Sequence, residues 1–314
     1  MSFETSNDSF SHQHQQGQSP LQHHQMIALP SAILFTCLAP ATVLGNGFLI
    51  LTFFRNSPSL LRTPSNFFIF SMAWANFLTG FVLQPLLAYN YYTLYLNETF
   101  SLAFRKVMSA FSIVTMNASI FSVCAFSWDS FLALARPIKH RKWVTIRRAK
   151  VVIACVWIYQ IGFASLLFTN IPLSLVLRVD LHLNTTFIST LLLACYVCLY
   201  KAVKQRERKR ERSFSSPRAQ MNFKTRKRST KLEQRMRVII FLFTLVTTIP
   251  ILPVTVVWHL TWYCSECQHN QQLVLAEKVL NQLVFVKFVL DPFVYAWRLE
   301  RYRKALKRML CCNN

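Results

Sequence analysis

Lys287 and Asp291 stand four residues apart in an otherwise apolar stretch, 273 to 297. On a helix that spacing puts both side chains on one face, close enough for an ammonium to meet a carboxylate. A lone lysine in lipid is costly, and ionisable residues at membrane depth pair with one another or face a cavity. The two therefore read as an internal ion pair. Two other chemistries fit the same residues: Lys287 snorkelling alone to an aqueous cavity, and a proton relay of the kind a transporter uses. Asp180 and His182 fall in the outer third of another apolar stretch, 173 to 201, beside Arg178 and Asn184. They form either the rim of a pocket or a loop ahead of a helix that starts later. His12, His14, His23 and His24 have ligand chemistry, but the Gln/His-rich tail 1–25 that holds them reads as disordered rather than as a metal site. No nucleophile and base constellation at membrane depth and no HExxH motif is present, so the chain does not read as an enzyme, and no cofactor is implied.

These residues need long apolar elements to position them. Hydrophobic residues make up 53% of the 314 positions and fall in blocks, which places the chain among membrane proteins. A span needs about 20 predominantly apolar residues. Seven such stretches are legible, near 26–54, 67–92, 107–134, 149–169, 173–201, 237–262 and 273–297. The expected fold is an all-α membrane protein, a seven-helix bundle over 26–298. An amphipathic segment over 299–314 follows it, RLERYRKALKRM and then Cys311 and Cys312.

The net charge of +23 is arranged by side. Of the 35 Lys and Arg, Arg105, Lys106, Arg178 and Lys278 fall at loops or helix ends on one side and Lys287 lies inside the last span. The rest fall on the other side, which the positive-inside rule makes cytoplasmic, with the N-terminus outside. The charge is thus a topology signal, not a nucleic-acid site. The stretch 201–237 carries 15 basic and three acidic residues and reads as a cytoplasmic loop with helical ends, for anionic lipid or a cytosolic partner. Cys311 and Cys312 at the end of a surface helix fit palmitoylation. Asn7 and Asn97 stand in outer sequons and fit glycosylation, whereas Asn117 sits inside a span and Asn184 too near the membrane.

Punctuation inside the spans makes a resemblance specific. Gly45 and Asn46 in the first span, Asn66 and FSMAWAN in the second, SWDSFLALARPIKHR at 127–141, Trp157, Tyr196, Pro253 and DPFVY at 291–295 together resemble the rhodopsin-like (class A) G-protein-coupled receptors. The flavour is nearest the adenosine and melanocortin receptor group. The resemblance implies a plasma-membrane receptor that senses an extracellular ligand of unknown class and engages a heterotrimeric G protein or arrestin. A ligand pocket carried over from the family would involve Ser109, Ser112, Asp180, Trp258, Asn281 and Gln282. Ser112 stands where amine receptors carry an Asp, and Phe285 where opsins carry the retinal lysine. Trp258 stands where adenosine receptors carry an Asn. None of those family ligands transfers on these positions.

Other positions depart from the family in ways that bear on switching. Where the family holds a sodium ion between helices two, three and seven, this chain has Asn76, Ser119, Lys287 and Asp291. The resemblance implies that the Lys287 ammonium takes the ion's place, with Asn76 and Ser119 supplying oxygens and Asn46 nearby. DSF replaces DRY, so the cytoplasmic face is expected around Asp129, Ser130 and Glu233, without the arginine that would pair with Glu233. Tyr196 and Tyr295, which in the family close on each other in the active state, remain, while Ile251 replaces the helix-six Trp. Arg105 stands where most members carry the cysteine that staples helix three to the second outer loop. Cys264 and Cys267 match a cysteine pair of adenosine receptors; by their own spacing they are a local disulfide, half a zinc site or free thiols. A signalling-poor receptor, a scavenger or dimer partner, is the alternative that Ser130 suggests. A transporter is more remote, because no inverted repeat is present.

Overall fold

The computed structural model of the chain describes residues 20–55, 63–98, 100–213, 246–247, 249–268 and 270–298. They form a bundle of helices. The first helix runs Pro20–Arg55, the second spans Pro64–Tyr95, the third Leu102–Ala135 and the fourth Ile146–Ser165. The fifth begins at Leu173 and continues to Ser213, the sixth is Ile249–Tyr263 and the seventh Gln271–Arg298. Five of these, the first to the fifth, are long and apolar enough to cross a membrane. The sixth is apolar but shorter over its described residues. The seventh, 28 residues long, reaches about 42 Å at 1.5 Å per residue and carries Lys287 and Asp291 inside.

The spans obey membrane packing rules. Large apolar side chains such as Phe54 (60% exposed), Phe81 (64%), Ile158 (70%) and Phe187 (61%) stand outward, the pattern of a surface solvated by lipid rather than water. The third helix is the hub, packed against the second, fourth and fifth, while the first closes on the second and seventh. Leu49, Phe53, Ile69, Met72, Val123, Phe126 and Leu192 belong to one apolar cluster. Ile120, Ile188, Ile251, Val254 and Val284 belong to another. Small residues let backbones approach where polar residues must meet. A Cβ on Gly80 would lie 2.8 Å from Thr42, and one on Gly45 3.1 Å from Pro292.

Two wide turns break the regular helices. In the second span Thr79–Leu83 is π-helical just ahead of Pro85. Proline has no N–H and clashes with the carbonyl four residues back, so the ladder widens there. In the fifth, Leu181–Thr186 is π-helical without a proline. Here the Asn184 amide donates to Asp180 Oδ1 at 2.8 Å, and the Thr186 hydroxyl to the carbonyl of Leu181 at 2.9 Å. Asp180 is therefore in a helix that starts at Leu173, not in a loop ahead of it.

Candidate functional site

The third, fifth, sixth and seventh helices, with the second, enclose a cavity of about 240 Å³. Ser109, Ser112, Met116 and Ile120 face it at i, i+3, i+7 and i+11, one stripe of the third helix. Asp180 and Thr185 come from the fifth helix, Ile251, Val254 and Trp258 from the sixth, and Asn281, Val284 and Phe285 from the seventh. Five of the six expected pocket residues thus share one cavity: Ser109, Ser112, Asp180, Trp258 and Asn281. Gln282, the sixth, is not among the lining residues. It is buried and donates to the hydroxyl of Ser31 on the first helix at 2.5 Å. Ser112 donates to the sulfur of Met116 at 3.2 Å.

Asp180 is the one acidic group of the lining, and it is held by amides. Asn117 and Asn184 both donate to its Oδ1 at 2.8 Å. The Asn117 amide also lies 3.4 Å from Gln160 Oε1, and the Tyr159 hydroxyl donates to Asn184 Oδ1 at 3.1 Å. Asn117 and Asn184 are buried parts of this network, which keeps their amides from serving as glycan sites. His182 lies away from the cavity lining; its Nε2 is 2.6 Å from the hydroxyl of Tyr263, and its ring packs edge-on against His259 at 5.0 Å.

A second polar group joins the second, third and seventh helices. Lys287 Nζ is 2.7 Å from Asp291 Oδ2 and donates to Ser119 Oγ at 3.0 Å. Ser119 in turn donates to Asn76 Oδ1 at 2.6 Å, and the Asn76 amide donates back to Asp291 Oδ2 at 2.9 Å. The ring of Phe288 lies 4.8 Å below the ammonium. All four polar residues are shut from solvent, none more than 1% exposed. Asn46 anchors the same region by donating to the Phe288 carbonyl at 2.9 Å. The circuit joins helices two, three and seven, and only Asp291 Oδ1 lacks a partner among the described residues.

The C-terminal end of the third helix is arranged differently. Asp129 accepts from the hydroxyl of Ser65 and lies 2.7 Å from His140 Nε2, in the short helix Pro137–Trp143. Ser130 is buried and its hydroxyl meets no partner among the described residues. Ile251 belongs to the cavity wall. Just past the sixth helix Cys264 and Cys267 are joined by a disulfide, and no group of three or more metal-ligating residues occurs among the described residues. Asn97 is exposed at the end of the second span with φ 61°, a left-handed conformation that Asn tolerates as a helix stop. Asn7, Glu233, Cys311, Cys312 and the side chain of Tyr295 lie outside the described residues, as do most of the basic loop and the segment after the seventh helix.

Comparison with known proteins fits this geometry. A family model described as "7 transmembrane receptor (rhodopsin family)" matches residues 45–176. The adenosine receptor A2a of Canis lupus familiaris is 22% identical over 305 residues, covering 87% of this chain and 70% of the receptor. The human adenosine receptor A2a is 21% identical over the same length and shares. The 5-hydroxytryptamine receptor 1 of Aplysia californica is 30% identical over 140 residues, 44% of this chain and 30% of that protein.

Proposed function

We propose that this chain, a seven-transmembrane receptor of the rhodopsin family distantly similar to adenosine A2a receptors, senses an extracellular ligand in its outer cavity and signals across the plasma membrane. The observation that carries this reading is the stacking of the cavity on the buried ion pair. Met116 and Ile120 line the cavity while Ser119, between them, accepts from Lys287; Val284 and Phe285 line it while Lys287 follows on the same helix. A ligand that shifts the third helix against the seventh must strain the 3.0 Å bond between Lys287 and Ser119. A close-packed polar circuit has few intermediate arrangements, so such a shift selects between discrete states.

In this reading Lys287 is a built-in cation. It neutralises Asp291 permanently where the family's resemblance would place a sodium ion. The signal leaves through the cytoplasmic ends of the helices to a heterotrimeric G protein or arrestin, with Asp129 and Ser130 on that face. Palmitoylation of Cys311 and Cys312 would hold the tail to the membrane, and glycans at Asn7 and Asn97 would mark the outer surface.

A second reading, a signalling-poor receptor, rests on Ser130. Its hydroxyl is buried and unpartnered among the described residues, and it cannot supply the planar charged fork of an arginine. The test is basal and serum-stimulated cAMP in cells carrying matched surface amounts of the native chain and of Ser130→Arg. A change with the native chain supports coupling without the arginine. A response confined to Ser130→Arg supports the signalling-poor reading and counts against native G-protein coupling.

A further inference from the structure

Asp180 carries a negative charge into a chiefly apolar cavity, and no cation among the described residues pairs with it. Both of its hydrogen bonds, from Asn117 and Asn184, fall on Oδ1, which leaves Oδ2 without a donor among the described residues. No Lys, Arg or His among those residues forms an ion pair with it. The closest basic residue along the chain, Arg178, directs its guanidinium over the ring of Trp262 at 5.7 Å. His182, two residues the other way, is engaged with Tyr263. Neutral amides orient a carboxylate, but they do not balance its charge, and an ion in an apolar enclosure is retained where a partner completes it. The remaining cavity wall is chiefly apolar: Met108, Met116, Ile251, Val284 and Phe285. At about 240 Å³ the space falls just under the roughly 300–1,000 Å³ typical of drug-sized sites, so it suits a compact molecule.

We propose that the ligand of this cavity is a small molecule with an apolar body and one protonated nitrogen, and that the nitrogen docks on Oδ2 of Asp180. The third-helix acid of amine receptors is absent, with Ser112 in its place, and the anchor comes instead from the fifth helix, at the wide π-helical turn where Asn184 fixes the carboxylate from within the same helix. An ammonium placed there gains a charge-assisted hydrogen bond beside a chiefly apolar wall. A neutral molecule of the same shape gains only the apolar contacts. The inference rests on the receptor reading, since it names the ligand class for that cavity.

The experiment uses the full-length chain in nanodiscs and follows its unfolding midpoint. The probes are 2-phenylethylammonium chloride and its neutral counterpart 2-phenylethanol, at equal concentrations and fixed ionic strength. The ammonium is expected to raise Tm at a concentration at least tenfold below that of the alcohol. In Asp180→Asn the two dose curves should coincide. Met116→Trp, which fills the cavity, should abolish the response to both probes. Equal curves on the native chain, including no response to either probe, overturn the proposal, as does an ammonium preference that survives in Asp180→Asn. If Asp180→Asn does not accumulate, the native-chain comparison and Met116→Trp decide alone. The assay contains no G protein, so its failure leaves the receptor reading intact. Failure of nucleotide exchange or cAMP signalling would, in turn, leave the binding result intact.

Discussion

Asp291 and Asp180 are both carboxylates enclosed between helices, and they differ in what faces them. Asp291 has a lysine 2.7 Å away on its own helix and an asparagine from the second helix. Asp180 has two amides and, among the described residues, no cation. The first is a circuit whose charges balance within the chain. The second is chemically incomplete and lies on a cavity wall. Burial alone therefore does not mark a binding residue; an unbalanced charge beside an open volume does. A self-compensated pair next to it is better suited to hold the helices in register and to change state as a unit.

The largest effect should follow from breaking the closed circuit on one side. Asp291→Ala strands the Lys287 ammonium, and removing one partner of a buried pair costs about 3–5 kcal/mol. Surface expression should fall sharply, whereas the double variant Lys287→Met, Asp291→Ala should recover much of it. Equal expression of the single and double variants would show that the two residues are not energetically coupled. A smaller effect is expected at the incomplete site. Asp180→Asn strands no cation and keeps an oxygen to accept from Asn117 and Asn184, so the loss should be about 0.5–1.5 kcal/mol and the purified protein should unfold only slightly earlier. An Asp180→Asn penalty as large as that of Asp291→Ala would make Asp180 a structural residue and erase the contrast.

The sequence carried the closed circuit more clearly than the open site. Lys287 and Asp291 share a helix, so their four-residue spacing is enough to place them face to face. The helices were legible for the same reason: lipid demands long apolar runs, and the boundaries found lie within a few residues of those runs for the first five spans. The cavity's stripe on the third helix follows helical periodicity, which brings Ser109 and Ser112 together. Gln282 was expected beside Asn281, yet adjacent residues on a helix point about 100° apart. One faces the cavity and the other faces Ser31 on the first helix. Asn117 was read only as an internal sequon, and its bond to Asp180 spans 63 residues, a relation no local pattern encodes. The same holds for Asp129 and His140, whose pairing depends on the short helix after the third span folding back. The π-helical turn at Leu181–Thr186 has no proline to announce it.

The claim at the centre of this account is that the cation between helices two, three and seven is part of the chain. The most direct test compares the unfolding midpoint of the purified native protein in sodium chloride and in choline chloride at equal ionic strength, alongside Lys287→Met. Ligand binding to the folded state raises stability by mass action, so an occupied place gains nothing from added sodium and a vacated one does. The account predicts the same midpoint for the native chain in both salts and a rise of a few degrees in sodium for Lys287→Met. A sodium-dependent rise in the native chain, or none in Lys287→Met, would contradict it.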